Sequence, residues 1–163
     1  MPTRDECLEA NLAYQESFDK GELQIPPARG LAVVTCIDAR IDPAKVLGLE
    51  EGDAHVIRNA GGLVTDDALR SLVISHQLLG TQEVMVIGHT DCGMMKFTND
   101  DLHAKLREET GHDASHIDFQ AFPDGDASVR ESVGRLEESP FLDGVAVSGW
   151  IYDVRSGGLR EVA

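Results

Sequence analysis

Cys36, His89 and Cys92 are the residues in this sequence whose types and spacing are best suited to hold a metal ion. A thiolate–imidazole–thiolate set suits zinc, which favours four-coordinate sites of sulfur and nitrogen. His89-Thr90-Asp91-Cys92 places two ligands three residues apart in what reads as a turn. Gly93 follows and would permit a tight backbone there, and Gly88 before it would relieve crowding at a strand exit. Three protein ligands leave a fourth position open, as in catalytic zinc sites. Open zinc lowers the pKa of a bound water to about 7, and the hydroxide so formed is a nucleophile for a small electrophilic carbon.

Asp38 and Arg40 follow Cys36 at intervals of two, and alternation in an extended stretch would aim all three toward one side. Asp38 has two readings. It could take the fourth zinc position and exclude water, or it could pair with Arg40 and accept a hydrogen bond from the nucleophile. The planar fork of Arg40 suits it to hold that carboxylate. Taken singly, a buried cysteine is usually a small hydrophobe, and that is the reading for Cys7, which falls on the apolar side of a helix. Cys36 and Cys92 differ, because Cys-X-Asp-X-Arg and His-X-X-Cys each close an apolar strand.

The elements that must position these residues alternate in type. Residues 3–19 read as an amphipathic helix with Cys7, Leu8, Leu12, Tyr14 and Phe18 on its apolar side. The largely apolar run 31–36 reads as a strand buried on both faces, as in a parallel sheet. A short helix, capped by Asp42 with Pro43 in its first turn, ends near Gly48. Strands are expected at 55–58, 84–87 and 145–152, and a short final one at 159–161 after the Gly157-Gly158 turn. Helices are expected from the Thr65 region to Leu79, over 100–110 and over 126–139, with Gly80, Gly111 and Pro140 as their stops. Residues 112–125 read as a loop. The class is α/β with a mainly parallel sheet. Ligands in such sheets bind beyond the carboxyl ends of the strands, where Cys36, His89 and Cys92 all fall.

The chain has 163 residues and reads as a single domain. Its net charge of −15 argues against nucleic acid and anionic membrane as partners. No apolar run reaches the roughly 20 residues of a membrane span, and no secretion signal is apparent, so the expected compartment is the cytoplasm. Only four lysines are present; such an acidic surface suits either an ordinary acidic protein or one adapted to high salt. Three cysteines without a signal argue against a disulfide framework. No Gly-X-Gly-X-X-Gly follows any expected strand, which disfavours a dinucleotide-binding domain.

Cys36-Ile37-Asp38-Ala39-Arg40, Arg58-Asn59-Ala60-Gly61 and Gly88-His89-Thr90-Asp91-Cys92-Gly93-Met94 resemble the β-class carbonic anhydrases in identity, order and spacing. The resemblance is strong over residues 25–100 and looser through 149–153, and the compact length is similar to that of the small prokaryotic members. It implies zinc-dependent reversible hydration of carbon dioxide to bicarbonate, with one Zn2+ per subunit on Cys36, His89 and Cys92. It also implies Asp38 and Arg40 as the catalytic pair, backbone support from Gly61 and Gly93, and a homodimer or an assembly of dimers. The fold it implies is a parallel sheet of four strands plus a short antiparallel edge strand, with helices on both faces, in which residues 1–24 form an N-terminal helical arm that would pack on the partner subunit and 25–163 form the α/β core. Two positions depart from the plant-type pattern, which has Gln and Phe where this chain has Pro27 and His55. His55 could shuttle protons or be a partly buried strand histidine. Arg58 and Tyr152 match part of a regulatory bicarbonate pocket found in some relatives. His76, His103, His112 and His116 read as surface or helix residues. The same ligands could instead serve hydrolysis of carbon disulfide or carbonyl sulfide, or a non-catalytic zinc-stabilised binding module closed by Asp38.

Overall fold

The run 31–36 is apolar apart from Thr35. In the computed structural model, which describes residues 2–163, it forms β1 (Leu31–Cys36), a strand buried at all 6 positions. The Thr35 hydroxyl is reconciled with burial by donating to the carbonyl of Ile87, 2.8 Å away. The remaining elements are α1 (Thr3–Ser17), α2 (Pro43–Leu47), β2 (Ala54–Asn59), α3 (Asp66–Leu79), β3 (Glu83–His89), α4 (Asn99–Thr110), α5 (Gly125–Glu137), β4 (Ala146–Tyr152) and β5 (Leu159–Glu161). A 3-10 turn covers Gly93–Met95.

The strands form one sheet in the order β2-β1-β3-β4-β5, with the first four parallel and β5 antiparallel to β4. Alternation along the strands divides the core. Ala32, Val34, Val84 and Val86 face Leu72 of α3 and Val129, Val133 and Leu136 of α5. Leu31, Val33 and Ile87 point the other way, toward Leu47 of α2 and Leu49 after it. From β1 the chain crosses to β2 on one side and then returns to lay β3 on the other. That reversal of direction makes the carboxyl ends of β1 and β3 a topological switch point, where the diverging connections leave a crevice. Cys36 is the last residue of β1 and His89 the last of β3.

Local signals set most boundaries. Asp42, Thr65 and Thr98 each accept a backbone N–H at their helix starts, and Thr98 with Asp101 forms a full capping box. Gly48, Gly80 and Gly111 close α2, α3 and α4 in the left-handed conformation. Two strands run longer than expected, β2 by one residue at each end and β3 as far as His89, because its pairing continues to Tyr152 of β4.

The main departure is α1. None of its residues is buried, and Cys7, Leu8, Leu12, Tyr14 and Phe18 are all exposed. The burial expected for Cys7 is therefore not met within this chain. The helix is tied to the core at its end, where the Tyr14 hydroxyl donates to Glu51 at 2.6 Å and Lys20 pairs with the same carboxylate. No helix is long and apolar enough to cross a membrane among the described residues.

Candidate metal centre

Strand ends deliver the three expected ligands to one place. The donor atoms of Cys36, His89 and Cys92 lie within 4.8 Å of one another, and all three residues are buried. The site fits a metal on two further counts. The Nδ1 of His89 lies 2.9 Å from the carbonyl of Thr90, which can only accept, so in the neutral ring that nitrogen carries the proton. The lone pair of Nε2 is then free, yet this atom is buried without a hydrogen-bond partner among the described residues. A buried polar atom left alone is costly unless something binds it. The second count is the sulfurs. The neighbouring Cys92, with smaller contributions from the amides of Asp38 and Gly61, holds the Cys36 thiol well below its usual range against the opposing effect of burial. The same contact and burial push Cys92 up. Two sulfurs this close give up one proton readily and resist losing the second, unless a dication lies between them.

Asp38 and Arg40 do meet, but not by extended alternation. The strand ends at Cys36 and the chain turns, with the Arg40 amide donating to Asp38 Oδ1 at 2.9 Å. The guanidinium then closes a fork on the same carboxylate: Nε to Oδ1 at 2.9 Å and Nη2 to Oδ2 at 2.7 Å. This fork holds the Asp38 carboxyl far below the ordinary carboxylate range, against a smaller effect of burial. Asp38 Oδ2 sits 3.8 Å from His89 Nε2, at the edge of the ligand set. Arg58 braces the turn from behind, Nε donating to the Cys36 carbonyl and Nη2 to that of Asp38.

The glycines divide differently from the sequence-based expectation. Gly61 has φ 89°, and a Cβ there would come within 2.8 Å of the Phe122 ring. Gly93 is not left-handed, and a Cβ on it would meet nothing within 4 Å, so the turn makes no steric demand for glycine there. The left-handed residue of the ligand turn is Asp91, at φ 54°. Gly88 is confined, as expected, by Val129 at 2.8 Å and Ile151 at 3.0 Å from an added Cβ.

Sequence reading passed over Gly62. At φ 65° its Cβ would fall 2.8 Å from the Cys36 nitrogen and 2.9 Å from the Thr35 carbonyl carbon, both backbone atoms that cannot step aside. Gly62→Ala is therefore expected to destabilise the protein by about 2–5 kcal/mol, the sum of left-handed strain and overpacking. A melting temperature within about 2 °C of the parent would contradict this packing.

His55 and Pro27 are not brought to the ligands of their own chain. His55 pairs in register with Ala32, four residues before Cys36, or about 13 Å along the strand. Its Nδ1 lies 2.7 Å from the Ser75 hydroxyl, so it is a partly buried strand histidine. Pro27 is buried before β1 begins. Tyr152 supports the ligand turn through backbone, its carbonyl accepting from Thr90 N–H at 2.9 Å. It lies on β4, three strands from Arg58 on β2. Ile41, Met94, Met95, Phe97 and Phe122 pack around the two ligand cysteines and make the surroundings apolar.

Comparison with known proteins agrees with this geometry. The family model described as carbonic anhydrase matches residues 31–159. Beta-carbonic anhydrase 1 of Mycobacterium tuberculosis is 45% identical, over 99% of this chain and 99% of the relative. A carbon disulfide hydrolase of Saccharolobus solfataricus is 43% identical, over 96% of this chain and 89% of its own length. The crystal structure of a carbonic anhydrase from Streptococcus mutans superposes with a TM-score of 0.95 at 46% identity, covering 100% of this chain and 99% of that one.

Proposed function

This chain belongs to the β-carbonic anhydrases, and on that premise we propose how its residues divide the work. The reaction is the zinc-dependent, reversible hydration of carbon dioxide to bicarbonate and a proton. The observation that carries it is the buried donor set of Cys36, His89 and Cys92, with the His89 Nε2 lone pair aimed at no protein partner. Zinc held there supplies the Lewis acidity that lets a water lose its proton near pH 7.

The chain's own groups do the rest. An ionised Asp38 has acceptors only, so it takes a hydrogen bond from the attacking oxygen and turns that oxygen's lone pair toward the substrate carbon. Arg40 keeps the carboxylate charged and aimed by two parallel bonds. The apolar wall around Cys36 and Cys92 suits a small non-polar substrate and keeps stray water out. Cys36, His89 and Cys92 are the metal ligands in this account, Asp38 and Arg40 the catalytic pair, and Gly61 and Arg58 the support of the Cys36 turn. Bicarbonate leaves as water returns, and the proton passes to solvent.

The acting unit in this reading is a homodimer or an assembly of dimers, each chain a single domain with residues 1–24 as the arm. The exposed Leu8, Leu12 and Tyr14 of α1, with Phe18, Leu23 and Ile25 after it, support a second copy as the cover. The expected location is the cytoplasm.

A second reading, hydrolysis of carbon disulfide or carbonyl sulfide on the same residues, is favoured by the 43% identical hydrolase. Both molecules offer the same linear electrophilic carbon. Zinc-loaded protein assayed on the three substrates side by side is expected to turn over carbon dioxide fastest. Turnover of carbon disulfide with none of carbon dioxide would replace the first reading by the second.

A further inference from the structure

Cys36, Asp38 and Arg40 come from the end of β1, whereas His89 and Cys92 come from the end of β3. The catalytic pair must be fixed relative to the ligands on both segments, yet the Asp38–Arg40 fork and the Arg58 brace lie wholly on the β1 side or behind it. Asp91 makes the connection across. Its Oδ2 accepts from Arg40 Nη1 at 3.0 Å, and its backbone carbonyl accepts from Arg40 Nη2 at 3.1 Å. Its other oxygen, Oδ1, is held by Lys96 Nζ at 2.9 Å, from the end of the 3-10 turn. Charges therefore alternate along a row, Lys96, Asp91, Arg40, Asp38, that crosses from one ligand segment to the other.

Two features indicate that this contact matters to the site. Arg40 is 46% exposed, so with Asp38 as its sole anchor the long side chain would have freedom to swing together with the carboxylate it carries. Asp91 occupies the left-handed region, one of two non-glycine residues to do so among the described residues. Asp and Asn tolerate that region better than other side chains, and strained backbone of this kind concentrates at functional sites.

We infer that Asp91 is a positioning residue of the reaction: by gripping Arg40 with side chain and carbonyl, it keeps Asp38 turned to the substrate and off the fourth metal position. The inference rests on the carbon dioxide reading above. The carboxylate of Asp91 need not touch substrate or metal; it acts through Arg40.

The test uses zinc-loaded full-length protein and two variants. Asp91→Asn keeps a residue that tolerates the left-handed turn but removes the charge that pairs with Arg40. Asp91→Gly removes the side chain and relieves the backbone, which guards against a folding failure in the first. Both are expected to retain one zinc per chain and to lose kcat about 10–100-fold with KM little changed, the scale on which partners behind a metal site act. Crystal structures of the loaded variants are expected to show Asp38 released from Arg40, with a carboxylate oxygen at about 2.0–2.2 Å from zinc. A wild-type rate in either folded variant, with Asp38 still on Arg40, overturns the inference. A parent protein that binds zinc and does not hydrate carbon dioxide overturns the functional reading instead.

Discussion

Cys36→Ser is expected to leave a folded protein that retains no zinc under dialysis and hydrates carbon dioxide no faster than buffer. Cys36 contributes one of two sulfurs in a three-ligand set whose donors lie within 4.8 Å of one another. Substituting oxygen for a soft thiolate weakens the grip on zinc in both charge and softness. The consequence for rate is large because the metal lowers the pKa of water from 15.7 to about 7, so its loss removes roughly eight powers of ten of hydroxide supply at neutral pH. Zinc analysis beside a stopped-flow hydration assay checks both halves. A Cys36→Ser protein with full zinc and full rate would remove Cys36 from the ligand set. Acid should mimic the substitution. Protons compete with zinc for both thiolates and for His89, so retention on dialysis is expected at pH 8 and loss at pH 5, and pH-independent retention would contradict the assignment.

The second large effect concerns Asp38. Asp38→Ala is expected to keep zinc and to lose about 10²–10⁴-fold in kcat, the range over which a positioned proton-handling group contributes. If Asp38 instead closed the site of a non-catalytic zinc module, the same change would weaken metal retention and alter no rate. The pH behaviour follows from the sign of the shift. Arg40 holds the Asp38 carboxyl below its usual range. Its contribution to stability is therefore present above the unfolded value of about 3.9 and is lost as pH falls through the lower folded value. Parent and variant should thus differ in stability by a constant amount from pH 5 to 9 and converge only in stronger acid. A stability gap that changes near neutrality would mean that Asp38 is not held as a carboxylate by Arg40.

Much of the fold and of the metal centre was legible in the sequence because the deciding signals are local. Leu31–Cys36 reads as a doubly buried strand from its own residues. Gly80 and Gly111 mark helix ends because a left-handed closing residue favours glycine wherever it occurs. The ligands were visible because strand ends in a parallel sheet converge at the switch point. What stayed hidden depends on approach between distant segments. Gly62 is required by the backbone of Thr35 and Cys36, which lie on a different strand from the turn that carries it. Asp91 matters through Arg40, 51 residues earlier, and nothing in its own neighbourhood announces a left-handed backbone. Gly93, by contrast, was read as permitting a tight backbone beside a ligand, and a Cβ there would meet nothing within 4 Å. The Asp38–Arg40 pair was expected for a geometric reason that does not apply, since a turn rather than strand alternation brings the two together. For α1 the apolar residues were legible, but their exposure was not: none of the helix's residues is buried.

The central claim is that two sulfurs and one ring nitrogen from the tips of β1 and β3 hold a single zinc with room for one more ligand. Zinc-edge X-ray absorption on the loaded protein tests it most directly. The account predicts one zinc per chain with two sulfurs at about 2.3 Å, one nitrogen at about 2.0–2.1 Å and one oxygen completing four-coordination. A shell without sulfur, or one filled by four protein sulfur and nitrogen donors, would contradict it.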